Sequence, residues 1–100
     1  MLSDVITLTS TDHVQDDLGI FHDVSRRREI LATVDSVSRS EWSDAGKLGH
    51  NAEWRFTIFS GDYEGERSCE FRGTAYGIYR TYQASLDRVE LYAERKAGVN

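Results

Sequence analysis

Alternation of apolar and polar side chains is the dominant pattern of this chain. Its clearest instance lies near the C-terminus. Ile78-Tyr79-Arg80-Thr81-Tyr82 is followed by a polar break, Gln83-Ala84-Ser85-Leu86, and then by Asp87-Arg88-Val89-Glu90-Leu91-Tyr92-Ala93-Glu94-Arg95. A period of two marks strands that bury one face. The break is short enough for an antiparallel connection. Upstream, Trp54-Arg55-Phe56-Thr57-Ile58-Phe59 sets Trp54, Phe56 and Ile58 on one face, and Ser68-Cys69-Glu70-Phe71 reads as a short strand turned by Arg72-Gly73 into a strand over Thr74 to Tyr82.

The N-terminal half follows the same rule less evenly. Val5-Ile6-Thr7-Leu8 predicts a first strand, Thr11 to Gly19 is polar with a turn at Asp16-Asp17-Leu18-Gly19, and Ile20-Phe21 predicts a short edge strand. From Arg28 the alternation is long. Ile30, Ala32, Val34 and Ser36 share one face, and Leu31, Thr33, Asp35 and Val37 the other, which predicts a strand partly covered on both sides. A helix over Ser25 to Ala32 competes, and Thr33, Val34 and Val37 tilt the choice to strand.

Ser38 to Ala52 breaks the pattern. Ser38-Arg39-Ser40-Glu41 matches a capping box, while Gly46 and Gly49 limit any helix to one or two turns, so a long loop with at most a helical turn is expected. The turn Gly61-Asp62-Tyr63-Glu64-Gly65 has glycine at both ends. Several short strands at turn spacing predict a mainly β fold, a small antiparallel barrel or sandwich with one long loop between two central strands. No internal repeat or linker interrupts the 100 residues, so one domain over 1–100 is expected.

Composition sharpens this picture. Five Tyr, four Phe and two Trp offer large buried area per residue, and the absence of proline leaves the turns to Gly, Asp, Asn and Ser. The net charge is −5, from 17 acidic and 12 basic residues. Asp4, Asp12, Asp16, Asp17 and Asp23 carry it within residues 1–24, which hold no Lys or Arg; the rest of the chain is nearly balanced. That segment is expected to be solvated surface or a contact for a basic partner. An acidic chain argues against a main task of gripping phosphates. A lone Cys69 excludes an intrachain disulfide framework and fits a reducing compartment. No apolar run approaches the about 18 residues of a membrane helix, and the N-terminus does not read as a signal peptide.

Candidate chemistry is sparse. His13 and His22 sit beside Asp12 and Asp23, and His50 lies in the glycine-flanked loop, but none forms a zinc-ligand pair. Asp12-Val14-Asp16 begins like a calcium loop, yet Asp17 stands where glycine is required. Cys69, inside a strand, is expected in the core. No nucleophile, phosphate-loop or dinucleotide motif occurs, so no enzyme and no cofactor are expected. Arg26-Arg27-Arg28 is the one basic cluster: a solvated strand start, or a contact for the aspartates of residues 1–24 in a neighbouring subunit. Tyr63, Tyr76, Tyr79, Tyr82 and Tyr92 could stack on bases, but without a basic groove core or interface packing is the better reading.

These segments resemble the small head-closure (head–tail joining) proteins of long-tailed bacteriophages. The resemblance runs from Arg27-Arg28-Glu29-Ile30-Leu31-Ala32 through Val37-Ser38-Arg39-Ser40-Glu41-Trp42, Ala45-Gly46, Gly49 and Trp54-Arg55-Phe56-Thr57-Ile58. It continues through Gly61-Asp62-Tyr63-Glu64-Gly65-Glu66, Ile78 to Tyr82, Asp87 to Tyr92 and Gly98-Val99, covering about residues 26–99. Each motif is weak alone; their order and spacing carry the likeness. Family members often have Pro near the end of the central loop, where this chain has Asn51-Ala52.

The resemblance implies a β-barrel of the virion neck, assembled in the host cytoplasm. It would form a homo-oligomeric ring below the portal and adaptor, close the DNA-filled head and receive the tail, with packaged DNA passing without specific binding. A monomer in dilute solution is compatible with a ring that forms on its partner. In that reading the Glu41–Ala52 loop gates the channel. Glu41, Trp42, Asp44, Lys47 and His50 are expected at the lumen or a subunit contact, and Gly46 and Gly49 let the loop change course. A loop that only pads a subunit interface fits the same residues. Two alternatives remain, another neck ring component (adaptor or tail terminator) and a small barrel that binds single-stranded nucleic acid.

Overall fold

The structure, a computed structural model, describes residues 2–37, 46–47 and 52–96. Six antiparallel strands close into a barrel: β1 (Leu2–Gln15), β2 (Phe21–Ser36), β3 (Ala52–Phe59), β4 (Ser68–Phe71), β5 (Thr74–Gln83) and β6 (Arg88–Arg95). The order around the barrel is β1-β2-β3-β6-β5-β4, and β4 closes the ring on β1. The small antiparallel barrel expected from the alternation is therefore the fold.

Inward positions follow the period of two. Ile6 and Leu8 from β1, Ala32 and Val34 from β2, Phe56 and Ile58 from β3, Cys69 and Phe71 from β4, Tyr76 from β5, and Val89, Leu91 and Ala93 from β6 form one buried cluster. Trp54, Ile30, Tyr63 and Ile78 pack against it. Phe56 is the centre: fully buried, it meets the Phe71 ring edge-on at 5.3 Å and the Tyr76 ring at 6.4 Å. Trp54 stands edge-on to Phe71 and donates its indole N–H to the Tyr76 hydroxyl at 3.1 Å, so the polar tips of two core aromatics satisfy each other. Cys69 is buried as expected, and burial pushes its thiol pKa up to about 12.

Two places bend the regular pattern. The β5–β6 register shifts between Ile78 and Arg80, with Ile78 opposite Ala93, Arg80 opposite Tyr92 and Tyr79 as the extra residue. The β4–β5 connection is a two-residue turn with positive φ at Arg72 (52°) and Gly73 (79°), the backbone twist a tight hairpin needs.

Three expectations need correction. β1 does not end near Ser10 but continues to Gln15, and β2 begins at Phe21 rather than Arg28. Residues 10–15 and 21–27 are strand, joined by the turn expected at Asp16–Gly19; their apolar alternation is weak because beyond Leu8 and Arg28 there is no core for them to face. The acidic N-terminal segment thus supplies the first barrel strand and the turn of a long hairpin. Finally, the outer face of β2 is not covered at Leu31, which is 72% exposed.

The core predicts its own weak point. Phe56→Ala removes the ring that joins Phe71 to Tyr76 and should cost about 3–5 kcal/mol of unfolding free energy in a denaturant titration. Leu31→Ala, on the exposed face, should change it by less than about 0.5 kcal/mol.

Candidate functional site

β1 and β2 stay paired without interruption from Leu2 opposite Val34 to Gln15 opposite Phe21. The barrel uses only part of that ladder. β4 pairs with β1 at Thr7 to Thr9, and β3 pairs with β2 at Thr33 to Ser36. Beyond these, residues 10–26 form a two-stranded arm that leaves the barrel, adding about 17 Å of strand past Ser10. The molecule measures 51 × 30 × 23 Å.

The arm's tip is tightly turned. The Asp16 carboxylate accepts the backbone N–H groups of Leu18 and Ile20, each at 2.9 Å. Asp16 N–H bonds to the Ile20 carbonyl at 2.9 Å, and Gly19, at φ 81°, bonds back to Asp16 at 3.0 Å. Two histidine–carboxylate pairs bridge the strands: His22 Nε2 to Asp16 Oδ2 at 2.7 Å and His13 Nδ1 to Asp23 Oδ1 at 2.5 Å. The His22 contact, with the backbone donors, holds the Asp16 carboxyl below its usual range. Val14, Leu18, Ile20, Phe21 and Val24 are all exposed around this tip, Leu18 at 83%.

The arm's root is ionic. Arg28 lies at an inward position opposite Leu8, one step past the last buried side chains. Its guanidinium meets Glu66 Oε2 through Nε at 3.1 Å and Nη2 at 2.5 Å, and donates to the Asp62 carbonyl at 2.6 Å. Glu66 is 7% exposed and also accepts the Glu64 N–H at 2.8 Å, while the Tyr63 hydroxyl donates to the Glu66 carbonyl. Burial pushes the Glu66 pKa up, but the Arg28 hydrogen bond and the Glu64 N–H outweigh it, and the net shift is down. Arg28 thus fastens the 61–66 segment across the mouth of the barrel.

The other two arginines of the cluster point apart. Arg27 pairs with Glu70 on the outer face, and Arg26 lies 3.9 Å from Asp12 and 4.0 Å from Glu64. All three therefore have carboxylate neighbours within the chain, and Arg26 has the loosest. The tyrosines form no common platform. Tyr76 is in the core, Tyr63 is on the Glu66 carbonyl, Tyr92 is buried beneath Arg80 (4.3 Å from its ring) and beside Tyr79, and Tyr82 is 55% exposed.

Of the loop residues, Glu41, Trp42, Asp44, Gly49 and His50 lie outside the described residues. Gly46 and Lys47 are described and exposed, and a Cβ at Gly46 would meet open space. The loop joins β2 to β3 at the end of the barrel away from the arm, since Val37 and Ala52 border the Ser36–Trp54 pairing. Among the described residues no cluster of three or more metal-ligating side chains occurs. Searches of protein-family models and of curated proteins find no match to this chain.

The Arg28–Glu66 contact escaped sequence reading because it joins residues distant along the chain, and the histidine pairs escaped it because they depend on the register of the hairpin. One signal was nearby: the turn at 16–19, extended by one residue to Ile20, fixes the register that places His13 opposite Asp23.

The root makes a pH prediction. Because the folded Glu66 pKa is lowered, its contribution to stability is fully present above the unfolded carboxylate value and is lost as pH falls through the folded one. Unfolding free energy should therefore drop below about pH 4.3. Glu66→Gln should flatten that drop, whereas Arg28→Ala, which strands a buried carboxylate, should cost about 2–3 kcal/mol near neutral pH. A pH series of denaturant titrations reads both.

Proposed function

We propose that the chain is a structural protein of the virion neck of a long-tailed bacteriophage. It forms a ring between the portal or adaptor and the tail, closing the filled head and presenting a docking surface. The resemblance over residues 26–99 supports this reading, and so does the barrel. The observation that carries most weight is the arm. A two-stranded ribbon is marginal by itself in water, yet here it extends from a closed barrel with an exposed apolar tip. Such an element fits a molecule that works assembled.

The electrostatics point the same way. A ring through which DNA moves should not hold phosphates, and the only basic cluster has carboxylate neighbours in the same chain. In this reading the loop between Glu41 and Ala52, at the end opposite the arm, gates the channel or seals a subunit contact.

Removal of the gene should yield filled heads that lose DNA and lack tails, scored by electron microscopy. Shortening the loop by several residues should leave a folded protein whose tail-less heads leak DNA. Heads that keep DNA and join tails without the protein would overturn the neck reading; normal retention with the shortened loop would remove the gate alone.

A further inference from the structure

Backbone direction along the arm can be read from its hydrogen bonds. Asp16 N–H bonds to Ile20 across the turn, so even-numbered residues of the ladder exchange bonds within the hairpin. Odd-numbered residues point their N–H and C=O groups outward. At the barrel those outward groups are used: Thr7 and Thr9 lie against β4, Thr33 and Asp35 against β3, and Val37 N–H bonds to the Glu53 carbonyl. On the arm, among the described residues, no strand pairs with them. The free edge of β1 comprises Thr11, His13 and Gln15, and that of β2 runs from Phe21 to Leu31.

Exposed edges are ordinarily blunted by proline, lysine or a bulge. The chain has no proline, its two lysines are Lys47 and Lys96, and the β1–β2 register is unbroken. Beside the β1 edge runs an open groove of about 440 Å³, between Thr9–Asp12 and the segment from Glu64 to Ser68. The two sides also differ in charge. Residues 10–20 carry Asp12, Asp16 and Asp17 and no Lys or Arg, giving −3. Residues 21–32 carry Arg26, Arg27 and Arg28 against Asp23 and Glu29, giving +1.

We propose that these two edges pair with each other between copies of the chain, the β1 edge of one arm with the β2 edge of the next in an antiparallel ladder. Copies related by rotation about an axis along their arms present β1 upward beside β2 downward, so the antiparallel sense follows without reorientation. The contact is head-to-tail, and such contacts close into rings when the rotation allows. Closure would leave no free edge on any arm. The inference rests on the ring reading above and assigns the surface that holds the ring together.

Thr11 and Ser25 sit opposite each other with outward N–H groups and exposed side chains, so proline at either removes an edge donor while sparing the bonds inside the hairpin. Sedimentation of the full chain should show mass rising with concentration toward the millimolar range. Thr11→Pro alone and Ser25→Pro alone should stay monomeric. Mixed, they should give a one-to-one complex and nothing larger, because one retains a working β2 edge and the other a working β1 edge. Hydrogen exchange of the unmodified chain provides a readout independent of substitution: the Thr11, His13 and Gln15 amides should gain protection of about tenfold or more on association.

A chain monomeric at millimolar concentration, or proline variants that assemble like the parent, overturns the proposal. Protection that appears only after a purified portal or tail assembly is added assigns the edges to that partner and also overturns it. The neck reading fails separately. If the edge variants restore tailed heads as well as the parent does, only the edge pairing falls. If heads need no such protein while the arms still pair, only the neck reading falls.

Discussion

The pairing of Arg28 with Glu66 decides where this barrel stops. Along the inward face of β2, Val34, Ala32 and Ile30 carry the core, and the next inward position is a guanidinium. Its stem extends the apolar interior while its head binds a carboxylate that is otherwise nearly buried. A pair of this kind gives little more stability than a well-packed apolar pair would. What it gives is position. Glu66, the Asp62 carbonyl and Tyr63 are brought over the barrel mouth, and every inward residue beyond, from Arg26 to His22, is left outside the core. The arm exists because the interior is sealed ionically at its root.

The same boundary explains what could and could not be read from sequence. Where strands surround a core, alternation named the elements: β3, β4, β5 and β6 were placed within about two residues, and Trp54, Phe56 and Ile58 were assigned their shared face. Where two strands continue without a core, alternation weakens, so Ser10 to Gln15 read as loop and Phe21 to Arg27 as a fragment. The period of two records burial, not extension. An arm with no third strand has little burial to record. The Asp16–Gly19 turn was legible because its signal is local: a carboxylate that accepts from residues two and four ahead, then glycine at positive φ.

The arginine cluster shows the limit from the other side. As a sequence it is three adjacent cations; in the sheet, adjacency means opposite faces. Arg27 turns outward to Glu70, while Arg26 and Arg28 turn inward to Asp12, Glu64 and Glu66. A patch that looks continuous along the chain is therefore divided by the pleat. Among the described residues the cluster makes no continuous positive surface, because each of its three arginines lies beside carboxylates of the same chain.

Two opposed terms then meet on the arm. Among the described residues no strand pairs with the outward N–H and C=O groups of either arm edge, which favours addition of another strand. Acid at the tip would oppose it, because in the proposed pairing Asp16 and Asp17 of neighbouring arms would approach one another. The His22–Asp16 and His13–Asp23 contacts tie the two sides of each arm together and stiffen the ribbon before it meets a neighbour. A ribbon held straight in advance loses less conformational freedom on pairing. On this balance each proposed contact would be weak for a pair of free chains. In the proposed ring the balance would differ: every arm would gain two contacts, and the last subunit to enter would make both at once. Association that is marginal in pairs would then become firm only with the proposed circle complete.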